Sequence, residues 1–536
     1  MENLMRLYHD WEIQFLVLLS FGIQIFLFFT GGLHRRSINM LLRFSIWIAY
    51  LGADMIAVYA LGYLSQHKDA TIAGDTIRGT RPLVFFWAPF LFIYLGGQDT
   101  ITAFAMEDNN LWLYYLYMFS LSRLEDIMWN FYFQVSLCLS RALSSMEKGH
   151  DLSSVGALKV FRVPLEITVR FGREGMGTWL PNQVLKVLGI ELGMMYDDFY
   201  TKALVLRTRS GITLRCISQL SALVAFVLFL ACKKHKYSRA DIAITYSLFV
   251  GSFFLELCAL FIFTMSPWTW AWLKARKYDR LAQFSWAVLS NGLIGWPEKR
   301  PLWSNAMGRE SILAKLLDTE YVKADKVMKC LVEATSSFVR QPYEFQRTRE
   351  WPNLDALLRY AQVFYISDFG FAIVFMHMIT ELHLSKYPCL DIEADAAADI
   401  DVLVEVCQKL SRYMMHLLLT LPSLLPLNAS AVATLNRWRT DMSENDIMTE
   451  LKELDPQPGK EALEEIKDIW VRLTIYAAAK SQPEMHAAQL ASRGEPLTFV
   501  WLQLAHYNCG EFGFSRIELT RDRSKHSIFY VLQLHG

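Results

Sequence analysis

Long apolar segments crowd into residues 1–273 of this 536-residue chain, and the remainder holds none that reads as a membrane span. Ile13–Phe29 is broken by Ser20, Gly22 and Gln24, and Phe44–Leu64 carries one charge, Asp54. Ile212–Ala231 and Ile242–Met265 are long enough to cross a hydrocarbon core of ~30 Å at ~1.5 Å per residue. Lipid offers a backbone no hydrogen-bond partners, so runs of this kind must be helices. The sequence therefore predicts an all-α chain: a polytopic helical membrane bundle followed by a helical soluble domain.

The first run reads as a retained span. Its flank (Glu2, Arg6, Asp10, Glu12) is not basic, and Gly31-Gly32-Leu33-His34-Arg35-Arg36 follows in place of a cleavage pattern. Leu83–Leu95 contains Pro89 and is short for a crossing, which suits a re-entrant or kinked element. Leu111–Leu143 holds two apolar pieces separated by Ser122–Asp126, either one long tilted helix or a hairpin. The total is about six spans, with five to seven allowed. Trp268, Trp270 and Trp272, then Lys274, Arg276, Lys277 and Arg280, form an aromatic and basic collar of the kind found at headgroup level. Domain limits follow: a transmembrane domain over 1–280, a juxtamembrane linker over 281–310, a helical domain over 311–507 and an unplaced tail over 508–536.

The polar half reads as helices. Ser311–Val339 is amphipathic, with Ile312, Leu313, Leu316, Leu317, Val327, Leu331 and Val332 on the apolar positions. Leu354–Leu384 reads as a long helix, and its apolar middle, Val363–Ile379, is expected at the centre of a soluble bundle. Gln183–Leu206, Asp399–Leu421, Leu463–Ala479, Glu484–Ala491 and Thr498–His506 have helical periodicity, and Pro456-Gln457-Pro458-Gly459 is a loop.

Fifty-three Lys and Arg balance fifty-three Asp and Glu, so no basic footprint points to nucleic acid. The eight cysteines form no close pairs, which suggests neither a zinc site nor a disulfide framework. Phosphate-loop, nucleophile-elbow, zinc-protease and dinucleotide signatures are absent. No catalytic residue, cofactor or metal site is expected.

Buried carboxylates are the sharpest chemical feature. Asp54 and Glu256 sit within predicted spans, where an ionised group costs several kcal/mol unless it faces protein, water or a partner. Each belongs either to an ion or proton path or to a hydrogen-bond pair holding helices together; Arg43 and Arg215 are the nearby cations. Asp99, with Thr100, Thr102, Glu107, Asp108 and Asn109, follows the short apolar element and suits either a transport site or an ordinary capped helix. Glu191, Asp197 and Asp198 could offer three carboxylates to a hard cation or pair with Lys186 and Lys202. His377 and Glu381 share a helix face, and His383 falls off it, so metal binding there would need ligands from elsewhere.

Three stretches resemble a known family. Gly96–Asn109 (GGQDTITAFAMEDN), Ile190–Lys202 (IELGMMYDDFYTK) and Tyr237–Tyr246 (YSRADIAITY) resemble a plant family of integral membrane proteins catalogued as a domain of unknown function, number forty-two twenty. Ile469-Trp470-Val471, Tyr476–Ala479 and Gly494–Trp501 resemble a second, C-terminal domain of unknown function, number five ninety-four. The resemblance implies a helical membrane bundle with a helical tail and no established activity. The expected function is a membrane-anchored interaction or signalling protein in the bilayer, with protein partners on its soluble helices. An oligomeric ion channel or transporter using intramembrane carboxylates is the alternative. The tail is placed in the cytosol because its unpaired cysteines suit a reducing compartment. With six spans the N-terminus joins it there.

Overall fold

The structure, a computed structural model, describes residues 2–33, 39–72, 87–88, 90–91, 181–201, 209–231, 237–264, 266, 269–270, 273, 277–290, 303, 306–309, 320–340, 351–359, 369–387, 394–427, 430–444, 447–490, 495–507, 509–510, 515–519 and 529–533. Of the predicted element Leu83–Leu95 only residues 87–88 and 90–91 are described, and Leu111–Leu143 and Asp99 lie outside the described residues. The chain divides into two compact units, one of 1–161 with 193–301 and one of 162–192 with 302–536.

The first unit is built from long helices: α1 (Glu2–Thr30), α2 (Met40–Ile72), the last part of α3 (Pro181–Tyr200), α4 (Arg209–Ala231), α5 (Arg239–Thr264) and α6 (Asp279–Ser290). Three stretches, Trp11–Leu33, Met40–Leu64 and Arg239–Thr264, are long and apolar enough to cross a membrane; α4 contributes a shorter apolar stretch, Ala222–Ala231. The helices α1 and α2 form an antiparallel hairpin, with Leu27, Ile46 and Ala53 buried between them. A second hairpin joins α4 to α5 through Phe226, Phe229, Tyr246 and Phe249. Close approach of α1 to α5 requires Gly251, where an added Cβ would lie 2.0 Å from the Phe21 ring. Outside these seams large apolar side chains stay exposed: Met40 82%, Met55 73% and Leu257 67%.

In the second unit α7 (Asp325–Arg340), α8 (Phe369–Leu384), α9 (Ala394–Thr420), α10 (Ala431–Glu444), α11 (Ile447–Leu454), α12 (Lys460–Lys480), α13 (Pro483–Leu490) and α14 (Pro496–His506) pack around one core. The central helix α9 lies against both α8 and α12, and α12 also packs on α14. Phe369–Ile379 is buried throughout apart from Ala372, as expected for the middle of a soluble bundle. Trp470 of α12 is fully buried and its indole N–H donates to Thr380 Oγ1 at 2.9 Å, tying α12 to α8. Helix ends obey the macrodipole: α7 starts on Asp325 and ends on Arg340, and α12 has Glu461 in its first turn and Lys480 in its last.

Two expectations need correction. The amphipathic run from Ser311 is not one helix, because Glu320–Lys323 is a strand, β2, paired antiparallel with β1 (Ala306–Arg309), and α7 begins only at Asp325. Apolar spacing over 312–317 extended the helical period across a segment whose backbone is claimed by a strand partner. The linker 281–310 likewise holds most of α6 and all of β1. The unplaced tail contains a second antiparallel pair, β3 (Ser515–Leu519) with β4 (Phe529–Gln533). The architecture remains helical, with these two small ribbons added.

Candidate functional site

In the first unit, polar side chains gather on the inward faces of α1 and α5. Gln14, Ser20 and Gln24 are buried on α1, and Asp241 and Thr245 on α5. The Gln14 amide donates from Nε2 to Asp241 Oδ1 at 2.5 Å, at the start of α5, where a helix N-terminus favours a carboxylate. Thr245 donates its hydroxyl to the Asp241 carbonyl at 2.7 Å and accepts the Trp87 indole N–H at 2.9 Å. The helix pattern showed which residues were apolar. It gave no reason to pair Gln14 with a residue 227 positions away.

Of the predicted membrane carboxylates, Glu256 faces Arg215. Arg215 Nε donates to Glu256 Oε1 at 2.5 Å, and the two side chains are 15% and 19% exposed. A positive guanidinium beside a carboxylate removes net charge from the seam between α4 and α5. Asp54 is half-buried on α2, between buried Ala53 and exposed Met55.

Of the possible cluster Glu191, Asp197 and Asp198, the structure describes the side chains of the first two. Glu191, in the part of α3 that belongs to the second unit, is buried, and its Oε2 lies 2.6 Å from His506 Nε2 at the end of α14. Its other oxygen, Oε1, is buried with no hydrogen-bond partner among the described residues. Trp303 fixes the same segment by donating its indole N–H to the Gly189 carbonyl at 3.1 Å. Asp197 is half-buried, and its carbonyl accepts the Thr201 hydroxyl. Of Asp198 the structure describes only the helical backbone.

The histidines of α8 also part company. His377 Nδ1 lies 2.8 Å from Ser411 Oγ, and burial lowers its pKa to about 4. Glu381 accepts both Nε and Nη2 of Arg412, at 2.8 and 3.2 Å. His383 sits in a separate polar strap: Nδ1 is 3.1 Å from Asp455 Oδ1, Nε2 is 3.2 Å from the Tyr387 hydroxyl, and Lys386 pairs with the second Asp455 oxygen. Tyr387 closes the strap by accepting from Gly459 N at 3.1 Å and donating to Gly459 O at 3.0 Å. This holds the predicted Pro456–Gly459 loop against the end of α8. A further histidine, His486, stacks on Trp501 at 4.8 Å, and burial lowers its pKa to about 3. Among the described residues no group of His, Cys, Asp and Glu is arranged to hold a metal ion.

The match to known families covers both units. The family described as a domain of unknown function, DUF4220, matches residues 47–163 and 134–315. The chain belongs to the DUF4220 family. A second model, a protein of unknown function, DUF594, matches residues 456–509. No curated protein and no solved structure matches the chain. Arg215, Asp241 and Glu256 all fall in the DUF4220 match. The Glu191–His506 pair joins a residue of the DUF4220 match to one of the DUF594 match inside a single compact unit, so the second unit draws on both sequence families.

Proposed function

We propose that this is a multi-pass membrane protein whose helical bundle anchors it and whose C-terminal helical unit, on the cytosolic face, recruits protein partners. The observation that carries the anchor is the inversion of polarity in the first unit. Its large apolar side chains point outward along α1, α2, α4 and α5, while Gln14, Ser20, Gln24, Asp241 and Thr245 are buried between helices. A helix surface of that kind suits lipid. The Arg215–Glu256 pair supports an anchoring role over an ion path, because its carboxylate already holds a fixed counter-charge. The second unit supports a recruiting role through its size and its many-helix core.

Full-length protein reconstituted into lipid vesicles tests both halves. The expected result is protein that resists alkaline carbonate extraction, with ion flux equal to that of empty vesicles. Cross-linking in native membranes is expected to place partner proteins on residues 302–536. Flux above background that disappears in Glu256→Gln would overturn this reading in favour of an oligomeric channel or transporter.

A further inference from the structure

The first unit contains enough paired contacts to give each helix a direction. Gln14 meets Asp241, and further along Phe21 lies against Gly251. Both contacts advance in the same sense, so α1 and α5 run parallel. The hairpin partners run the other way. Tyr59 of α2 donates to Glu12 near the start of α1, while Ile46 packs with Leu27 near its end. On the other hairpin Arg215, early in α4, meets Glu256, late in α5, and Phe229 meets Tyr246.

These directions set which ends share a face. The start of α1, the end of α2, the end of α4 and the start of α5 lie together. The end of α1, the start of α2, the start of α4 and the end of α5 lie on the opposite face. The chain therefore leaves α2 on one face and enters α4 on the other. The described residues around Trp87 agree: Trp87 bonds Thr245 and Phe90 packs edge-on to Phe249 at 5.0 Å, so this segment starts on the first face and advances alongside α5 in the same direction.

We infer that the chain crosses the bilayer an odd number of times through the end of α5, with its N-terminus outside the cytosol and the chain leaving α5 inside it. This rests on the membrane reading above and replaces the even count of six, which put both ends on one side. The odd count also halves a conflict in the charge pattern. In the even arrangement, the Arg35-Arg36 turn and the Lys233–Lys236 turn both fell outside. In the parallel arrangement these two turns lie on opposite faces. The face where α5 ends has Arg35, Arg36 and Arg43 at the first turn, Arg207 and Arg209 entering α4, and Lys274, Arg276, Lys277 and Arg280 following α5. The other face has Arg6, Lys68, Arg78 and Arg81 following α2, and Lys233, Lys234, Lys236 and Arg239 between α4 and α5. Nine basic residues against eight leave the two faces nearly balanced, and the face where α5 ends is the cytosolic one because the C-terminal unit that follows it is read as cytosolic above.

The test uses full-length protein in native membranes, with an N-glycosylation acceptor tag placed before Met1 in one variant and at the exposed Lys277–Tyr278 turn in another. Glycosylation of the N-terminal tag alone is expected. Modification of both tags, or of neither, places the two sites on one face and overturns the odd count. Modification only at the turn keeps the count and overturns the orientation. Because an insertion at the turn can perturb folding, Tyr278→Cys probed from each side with a membrane-impermeant maleimide gives a second readout. Labelling is expected from the cytosolic side only, and labelling from the outside overturns the orientation. Release of the untagged protein by alkaline carbonate would defeat the membrane reading itself, an outcome separate from either tag pattern.

Discussion

The two units of this chain handle the same kinds of residue in opposite ways. In the first, Phe15, Met40, Met55, Val250 and Leu257 stand more than half exposed, while Gln14, Ser20, Gln24 and Asp241 are buried in the seams beside apolar residues such as Val17, Leu27 and Leu248. In the second, the large apolar side chains on its exposed surface reduce to Val402, Leu419 and Val432 among the described residues, and Trp470, Tyr413, Phe375 and Phe338 are sealed inside. Burial in the second unit is driven by water, at ~25 cal/mol per Å2 of apolar surface removed. On the membrane reading proposed above, the first unit gains nothing by hiding apolar groups from lipid, and its helices are held by close packing and by polar pairs. The same residue type therefore stabilises one unit from inside and solvates the other from outside.

The largest effect is expected where the second unit is densest. Trp470→Ala removes a fully buried indole and its bond to Thr380, and should cost about 3–5 kcal/mol. Denaturant unfolding followed by circular dichroism should show the loss; a change under ~1 kcal/mol would mean that the α8–α12 seam is not the core. The corresponding strain in the first unit comes from overpacking. Gly251→Val sets a side chain into the Phe21 ring and should destabilise the bundle by about 1–3 kcal/mol, read as a lower melting temperature in detergent. Gly308→Val meets the buried His416 ring at 2.3 Å and should do the same in the second unit. Equal tolerance of both would dissolve the claim that backbones approach closely at these points.

Polar pairing sharpens the contrast at smaller scale. Glu256→Gln or Arg215→Met alone leaves one polar partner without its counter-charge, at a cost of about 1–2 kcal/mol. The double variant should recover part of that cost in a double-mutant cycle. Additive losses would show that the two residues act independently. The smallest effect is expected from protons. His377 has a folded-state pKa near 4 against an ordinary 6.5, so the unfolded chain binds the extra proton first. Its contribution is complete above pH 6.5 and falls as pH drops toward 4. Near pH ~5.5 the loss from this one group is on the order of 1 kcal/mol. His377→Asn should flatten the pH dependence of the melting temperature; an unchanged slope would assign the acid sensitivity to His486 or another group.

The family match was legible in the sequence because its stretches are long and contiguous. The site was legible only in part. Arg215 stood out, with Arg43, as a cation at the edge of an apolar run that could face an intramembrane carboxylate. His506 gave no such signal as the partner of Glu191, being 315 positions away. His383 fell off the His377–Glu381 face by helical period, and the structure agrees that it serves a different neighbour, Asp455.

What the sequence by itself determined is local: which segments are apolar enough to be helices in lipid, where α9, α12 and α14 run, and that Pro456–Gly459 turns. Those features depend on periodicity, backbone hydrogen bonding and the geometry of Pro and Gly, which act within a few residues. Only the tertiary structure decided the direction of α5 against α1, the partners of Asp241, Glu191 and His383, and the strand at Glu320–Lys323. Each of these is a pairing across long separations, and a period of 3.6 fixes which face a residue occupies without fixing what stands opposite. A helix is equally satisfied parallel or antiparallel to its neighbour until side chains such as Gln14 and Asp241, or Phe21 and Gly251, meet in one arrangement and not in the other.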